Sequence, residues 1–282
     1  MRPNPVVRAL QYIGLFVVVA VFTFPTFWMV LGVFKRNVEH KARPPVLFPQ
    51  DPFGAAADTI RFAFESSPVP LGHVFLNSVV VASATAIVTL AVGVTAAYSF
   101  ARFRTGGTSL PFFILTLRMA PPIAVGLPFF LVFRQLGLLD SQLGLVVAYT
   151  TFNLPLVIWL LRSFFRELDP SMEEAALVDG ASRWQALRYI ALPLALPAIA
   201  STGLLAFIFS WNEFFFATLL TSSEGRTIPA LLPLFLPRSI SAGQPLGASF
   251  FIAAISAVPM IILVLFLQRY LIKGLSLGAA KE

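Results

Sequence analysis

Four polar residues stand inside long apolar runs, where each needs a chemical reason. Arg118 lies beside Pro121-Pro122, and Asn153 lies two residues before Pro155. Asn212 and Glu213 sit together in Trp211-Asn212-Glu213-Phe214. A charged side chain at the bilayer centre costs roughly 2.5–3.5 kcal/mol on insertion scales. Residues of these types can hydrogen-bond a polar solute in a hydrated path, a task that needs donors and acceptors but no covalent step. They can also close on themselves, Arg118 with Glu213 as an ion pair and the amides as glue between helices. The spacing leaves both readings open. Other chemistry finds no footing: the chain has no cysteine, and its two histidines are His40 and His73. A Gly-x-x-x-x-Gly-Lys-Ser/Thr phosphate loop is also absent from the sequence. No catalytic residue, no metal ligand set and no resident cofactor are expected.

The second constellation is the polar stretch 162–191. It contains Glu174-Ala175-Ala176-Leu177-Val178-Asp179-Gly180-Ala181 and then Ile190-Ala191-Leu192-Pro193. The pattern predicts a short helix, a sharp turn and a second short helix. Ser171-x-x-Glu174 reads as a capping box behind Pro170, and Glu173 and Glu174 fall in the first turn, where negative charge suits the free amides. Gly180 falls where a helix ends in a left-handed residue. Ser182-x-x-Gln185 is a second capping box, and Trp184, Leu187 and Ala191 form an apolar stripe at spacings of three and four. The small Ala175-Ala176 pair, flanked by Glu174 and Asp179, lets another surface approach closely and forms a docking knob. An amphipathic loop lying on the membrane surface fits the same residues.

The elements that must position these residues are membrane spans. The chain has 282 residues, 57% hydrophobic and 12% charged, with a mean hydropathy of +0.83. A soluble domain carries about 25% charged residues. The expected fold is therefore an all-α integral membrane protein with six transmembrane helices, at about 9–34, 76–100, 110–133, 142–161, 192–217 and 248–268. The first run is too long for a signal-peptide core and is taken as a retained helix kinked at Pro25. Residues 1–72 then comprise this helix and an external connector, 73–268 a core of five further spans interrupted by the loop 162–191, and 269–282 a tail carrying Arg269, Lys273 and Lys281. A second external connector, 221–247, carries Pro229, Pro233, Pro237 and Pro245. The net charge of +7 is scattered, which argues against nucleic acid and suits loops beside anionic lipid. Arg102 and Arg104, with Arg162, Arg166, Arg183 and Arg188, mark the inner side by the positive-inside rule, and six spans put both termini there.

Glu174-Ala175-Ala176, Asp179-Gly180 and Ile190-x-Leu192-Pro193 resemble the EAA loop of the membrane subunits of binding-protein-dependent ABC importers. Further stretches resemble the carbohydrate branch, the second membrane subunit of maltose-type transporters. They are Phe75-Leu76-Asn77-Ser78, Arg118-Met119-x-Pro121-Pro122, Leu136-Gly137-Leu138-Leu139-Asp140, Tyr149-x-x-Phe152-Asn153-Leu154-Pro155 and Trp211-Asn212-Glu213-Phe214. The resemblance implies an ABC type I importer permease fold in a bacterial or archaeal cytoplasmic membrane, with both termini cytoplasmic. It implies a sugar, polyol or oligosaccharide as solute, delivered by an extracytoplasmic solute-binding protein. A second permease subunit in a heterodimer and two copies of a cytoplasmic ATP-binding subunit complete the assembly, set in membrane lipid. ATP binds and is hydrolysed on those partners, and Glu174, Ala175, Ala176, Asp179 and Gly180 dock them. An ABC permease for a polyamine or amino acid is the alternative. A secondary transporter would leave residues 174–180 unexplained.

Overall fold

Prolines and small polar residues set where the apolar runs begin and end as helices. The computed structural model describes the backbone of 5–107, 109–236 and 245–279, with side chains over 6–107, 109–236 and 245–266. Residues 1–4, Pro237 and Lys281, and the side chains of Arg269 and Lys273, lie outside the described residues. In chain order the helices are α1 (Pro5–Val33), α2 (Asn37–His40), α3 (Pro52–Glu65), α4 (Leu71–Arg102), α5 (Ser109–Leu117), α6 (Pro122–Gln135) and α7 (Gln142–Glu167). Then come α8 (Ser171–Val178), α9 (Arg183–Ala186), a π-helical turn (Leu187–Ala191), α10 (Leu192–Trp211), α11 (Phe215–Leu220), α12 (Ile228–Leu231), a 3-10 turn (Leu232–Phe235) and α13 (Leu246–Ala279).

Five of these paths are long and apolar enough to cross a bilayer, and α5 with α6 makes a sixth, bent by 84°. The bend follows from Pro121-Pro122. A residue before proline is pushed out of the helical region, and Pro121 sits at φ −60, ψ 128, so one helix ends and another starts at Pro122. Three expected boundaries are corrected. The fourth span continues to Glu167, so 162–167 are helix rather than loop. The fifth ends at Trp211 and not near 217: the Asn212 side chain donates to the Ile208 carbonyl (2.8 Å) and closes the helix. The last helix continues past 268 to Ala279.

Two compact units make up the chain, Val69–Ala230 with Met260–Glu282, and Met1–Pro68 with Leu231–Pro259. In the smaller unit, His40 stacks on Phe250 with ring centroids 5.2 Å apart, and Lys35 lies 3.9 Å over Trp28. Asp51 caps α3 by accepting from the Gly54 amide at 3.0 Å. α1 buries none of its apolar window within the chain.

In the larger unit α4 runs along α7 and α10 at close quarters. Small residues make this possible, since lipid gives little hydrophobic drive and close packing must hold the helices. Ala97, Ala191, Ala195 and Ala206 are buried between them with Leu161 and Phe165. A Cβ added at Gly93 would meet Val157 Cγ1 at 2.6 Å, and one at Gly203 would meet Leu90 Cδ1 at 2.7 Å. Val157 is β-branched and buried, so it has nowhere to turn. Gly93→Leu is therefore expected to destabilise the bundle by about 1–3 kcal/mol. Thermal unfolding in detergent would read this as a lower midpoint, and an unchanged midpoint would refute the close approach. A second cluster packs Phe133 of α6, Leu145 and Tyr149 of α7, and Phe216 and Leu220 of α11. Here Phe152 and Phe216 stand 4.6 Å apart, and both contact Phe129.

Candidate functional site

Every site residue expected from sequence lies in the larger unit, in two groups. The first is α8 and its exit. Asp179 is the C-cap and Gly180 follows at φ +90. The Gly180 amide bonds the Leu177 carbonyl (3.2 Å) and the Ala181 amide bonds the Ala176 carbonyl (2.9 Å), the paired bonds of a Schellman ending. Glu174, Ala175 and Asp179 are exposed, while Ala176 is half-buried toward the chain's own side. Met172 and Val178 extend the exposed face at spacings of three around Ala175, Val178 at 87% exposure. Ser182 and Gln185 form their capping box, at 2.7 and 3.3 Å.

Two local expectations fail. Pro170, not Ser171, is the N-cap of α8, so Ser171 is already helical and its capping box with Glu174 does not form. Asp169 takes over by accepting from the Ser171 amide at 2.9 Å. Trp184 is also not part of the buried stripe: it is 59% exposed, while Ala186, Leu187 and Ala191 are buried. The stripe holds at Leu187 and Ala191, the two ends of the π-helical turn, and fails at Trp184 before it.

What holds α8 in place is a residue the spacing did not single out. Glu173 is buried against the end of α4, where Arg102 Nε and Nη2 donate to its Oε1 at 3.0 and 2.7 Å. Tyr98 Oη donates to its Oε2 at 2.6 Å, and Arg102 Nη2 also donates to the Leu168 carbonyl at 3.2 Å. Tyr98 is itself wedged edge-on between Phe103 and Phe165. Two guanidinium donors on one carboxylate oxygen and a hydroxyl on the other make a strong, directional charged contact. It ties α8 to the transmembrane core, so the two move together.

The second group surrounds a cavity of about 300 Å³ between α6, α7, α10 and α11, lined by Arg118, Asn153, Asn212 and Glu213 with Tyr149 and Phe209 among others. Arg118 and Glu213 do not pair, which overturns the ion-pair expectation. Arg118 Nη1 donates to the Phe152 carbonyl (2.6 Å), reaches Asn153 Oδ1 at 3.5 Å, and the guanidinium lies 4.7 Å over Phe209. Glu213 is spent on the backbone, accepting from the Phe216 amide at 2.7 Å to cap α11. Asn153 Nδ2 donates to Ser210 Oγ at 2.9 Å and fastens α7 to α10. Both hydrogen bonds of Arg118 use Nη1, and the residue lines the cavity.

At the bundle end opposite α8, Asp140 gathers the chain after α11. Its carboxylate accepts from the amides of Ser222, Ser223, Glu224 and Gly225 at 2.9–3.2 Å and from Ser223 Oγ at 2.5 Å. Partial burial would raise this carboxyl, but the Ser223 hydroxyl and the amides outweigh it and hold it well below the usual carboxylate range. A depressed folded value means the stabilisation is present above the unfolded value of about 4 and is lost as pH falls further. Asp140→Asn is expected to loosen this loop by about 1.5 kcal/mol, the low end for charged hydrogen bonds because water reaches it. Faster amide hydrogen exchange at 222–225 above pH 5 would register the loss, and unchanged exchange would refute it. Nearby, Asn77 ties three segments, donating to the carbonyls of Glu224 and Arg226 and accepting from Gln142 at 2.6 Å.

Residues 89–277 match the family described as binding-protein-dependent transport system inner membrane component. The chain is 34% identical over 284 residues to the trehalose/maltose transport system permease protein MalG of Thermococcus litoralis, covering 100% of this chain and 99% of that one. It is 36% identical over 208 residues to the trehalose transport system permease protein SugB of Mycobacterium tuberculosis, covering 73% and 76% of the two chains. A solved chain from a bacterial ABC transporter involved in import of the acidic polysaccharide alginate superposes with a TM-score of 0.72 at 24% identity, over 96% and 98% of the two chains, which shows a shared fold. With its series of bilayer-length helices, the chain belongs to the binding-protein-dependent transport system inner membrane components, the multi-pass permease subunits of ABC importers.

Proposed function

We propose that this chain is the membrane-spanning permease subunit of an ATP-driven importer for a sugar or related polyol or oligosaccharide. An extracytoplasmic solute-binding protein delivers the solute, and the path is completed by a second, different permease subunit. Two copies of a cytoplasmic ATP-binding subunit dock on the α8 end, which places both termini and the basic turns at Arg102 and Arg104 inside the cell. ATP stays on those subunits; this chain binds no cofactor and performs no covalent chemistry. The observation that carries the docking role is the tie from Glu173 to Arg102 and Tyr98 beneath an exposed Met172-Ala175-Val178 face. A surface helix that only lay on lipid would need no such buried ionic anchor.

In this reading the cavity at Arg118 is part of the solute path. Its volume is at the lower limit for a ligand site, in keeping with a site shared with a second subunit. Guanidinium and amide donors suit hydroxyl oxygens, and the exposed part of the Phe209 ring offers apolar surface for the less polar side of a pyranose. The sugar-named relatives support the solute class. The test is uptake of labelled trehalose, maltose and a control amino acid by cells expressing the whole system. Arg118→Ala is expected to lower sugar uptake at least tenfold at normal membrane levels, the effect of losing about 1.5–3 kcal/mol of charged hydrogen bonding. Amino-acid uptake with no sugar uptake would overturn the solute class. Unaltered uptake in Arg118→Ala would remove that residue from the path.

A further inference from the structure

The docking-end turns of α4 and α7 enclose a basic cavity of about 610 Å³ that neither the solute path nor the α8 anchor uses. Arg102, Arg104, Arg162 and Arg166 line it together with Gly107, and no carboxylate lines it among the described residues. Arg102 is committed to Glu173 and to the Leu168 carbonyl. Arg162 is not committed. Its side chain is more than nine-tenths buried, yet its Nε finds no hydrogen-bond partner. Its guanidinium rests 5.9 Å from the Trp159 ring, a contact that offers no acceptor oxygen. Arg166 follows one helical turn later on the same face, where like charges repel. Arg104 is held at φ +51 at the exit of α4, beside a turn through Gly106 and Gly107 that also takes positive φ. Three cations gathered around one cavity with no carboxylate in its lining call for an anion from outside the chain.

Depth says which anion. Arg162 lies five residues inside the end of α7, about 7.5 Å along the axis. That is the scale of the polar layer on each face of a bilayer, about 5–7 Å thick. We propose that this cavity holds the phosphate of an anionic phospholipid headgroup, with the Arg166 and Arg104 guanidiniums as its donors and the buried Arg162 adding its charge behind them. The planar forks suit phosphate oxygens, and the neutral wall at Phe100 and Ala101 accommodates the glycerol and upper acyl segment. A lipid seated here lies against the same end of α4 that anchors α8, so it braces the docking helix. The site depends on the family's membrane setting and not on which solute is carried.

The experiment uses the full chain with its partner subunits in nanodiscs of phosphatidylcholine containing a minor share of phosphatidylglycerol, followed by detergent extraction and mass spectrometry of retained lipid. Wild type is expected to retain phosphatidylglycerol over phosphatidylcholine by at least fivefold relative to the disc. The double variant Arg162→Gln/Arg166→Gln is expected to lose that enrichment, and Arg188→Gln, outside the cavity, to keep it. Because Arg162 is buried, Arg104→Gln and Arg166→Gln are also measured singly, since both are exposed and each should lower retention with folding intact. Inorganic phosphate is added in a parallel arm. Full protection of the wild type by phosphate in pure phosphatidylcholine would assign the site to the free ion and overturn the lipid. Equal retention in wild type and the exposed single variants would overturn the site itself. Loss of the ATP-binding subunit from these variants with lipid unchanged would assign the arginines to an acidic protein partner and overturn it equally.

Discussion

Glu173→Ala is expected to abolish solute uptake, a larger effect than any substitution on the exposed face of α8. The carboxylate is 8% exposed and its partner Arg102 13% exposed, so water cannot take over when one is removed. The substitution strips both carboxylate bonds from Arg102 and the carboxylate bond from Tyr98 Oη, and leaves a largely buried guanidinium with the Leu168 carbonyl. Removing one member of a buried pair costs about 3–5 kcal/mol, most of it the unpaired charge left behind. In this chain the strain falls on the joint between α8 and α4. The bundle core around Leu161, Phe165 and Ala195 includes the Tyr98 ring, but its packing is apolar and does not depend on the Tyr98 hydroxyl, so it should stay packed. Insertion and membrane level should therefore persist while coupling fails. The double change Arg102→Met/Glu173→Leu removes both charges and should recover the lost stability. It should recover uptake only in part, because apolar packing lacks the direction of these charged hydrogen bonds. Immunoblots of washed membranes give the level of both subunits, and uptake gives coupling. Uptake at the wild-type rate in Glu173→Ala would show that α8 needs no anchor on α4.

The contrast between Glu173 and Glu174 shows where sequence reading stops. The two are neighbours of one type in the first turn of one helix, and any local rule treats them alike. Only the position of Arg102, 71 residues earlier on another helix, decides that Glu173 is buried and Glu174 is not. Gly180 was legible because a single residue type meets its requirement cheaply, and its φ of +90 bears that out. The spans were legible because hydrocarbon admits little besides long apolar helices. Their ends were not, since the halt at Trp211 depends on Asn212 turning back to Ile208, which composition does not reveal. The Arg118–Glu213 pair was expected on charge alone. Each charge instead met a nearer backbone need, Arg118 at the Phe152 carbonyl and Glu213 at the Phe216 amide. Trp184 was misplaced because spacing does not say how far a stripe still has neighbours to pack on: Leu187 and Ala191 join the bundle core, and Trp184 lies beyond it.

Ala175→Trp and Gly180→Val are expected to uncouple the importer by different routes, and the difference makes the docking assignment testable. Ala175 is exposed and central on the Met172-Ala175-Val178 face, so a larger side chain there meets nothing within this chain. The isolated chain should be as stable as wild type. Against a partner groove the same indole overpacks, at about 1–3 kcal/mol, which converts to roughly 5- to 150-fold weaker docking. Gly180 is the converse case. No atom lies within 4 Å of where its Cβ would be, so bulk is tolerated and the cost lies in the backbone alone. Holding a non-glycine residue at positive φ costs about 1–3 kcal/mol, most for a β-branched one and least for asparagine. The exit of α8 should unwind in Gly180→Val and the two Schellman bonds should open. Uptake should then rank glycine first, followed by asparagine, alanine and valine. Retention of the ATP-binding subunit on washed membranes reports docking, and uptake by the same cells reports coupling. For Ala175→Trp both should fall together, with the chain's own thermal midpoint unmoved. For the Gly180 series uptake should fall ahead of retention, because the docking face survives while its attachment slackens. Wild-type retention and uptake in Ala175→Trp would remove α8 as the docking element, whatever the Gly180 series shows.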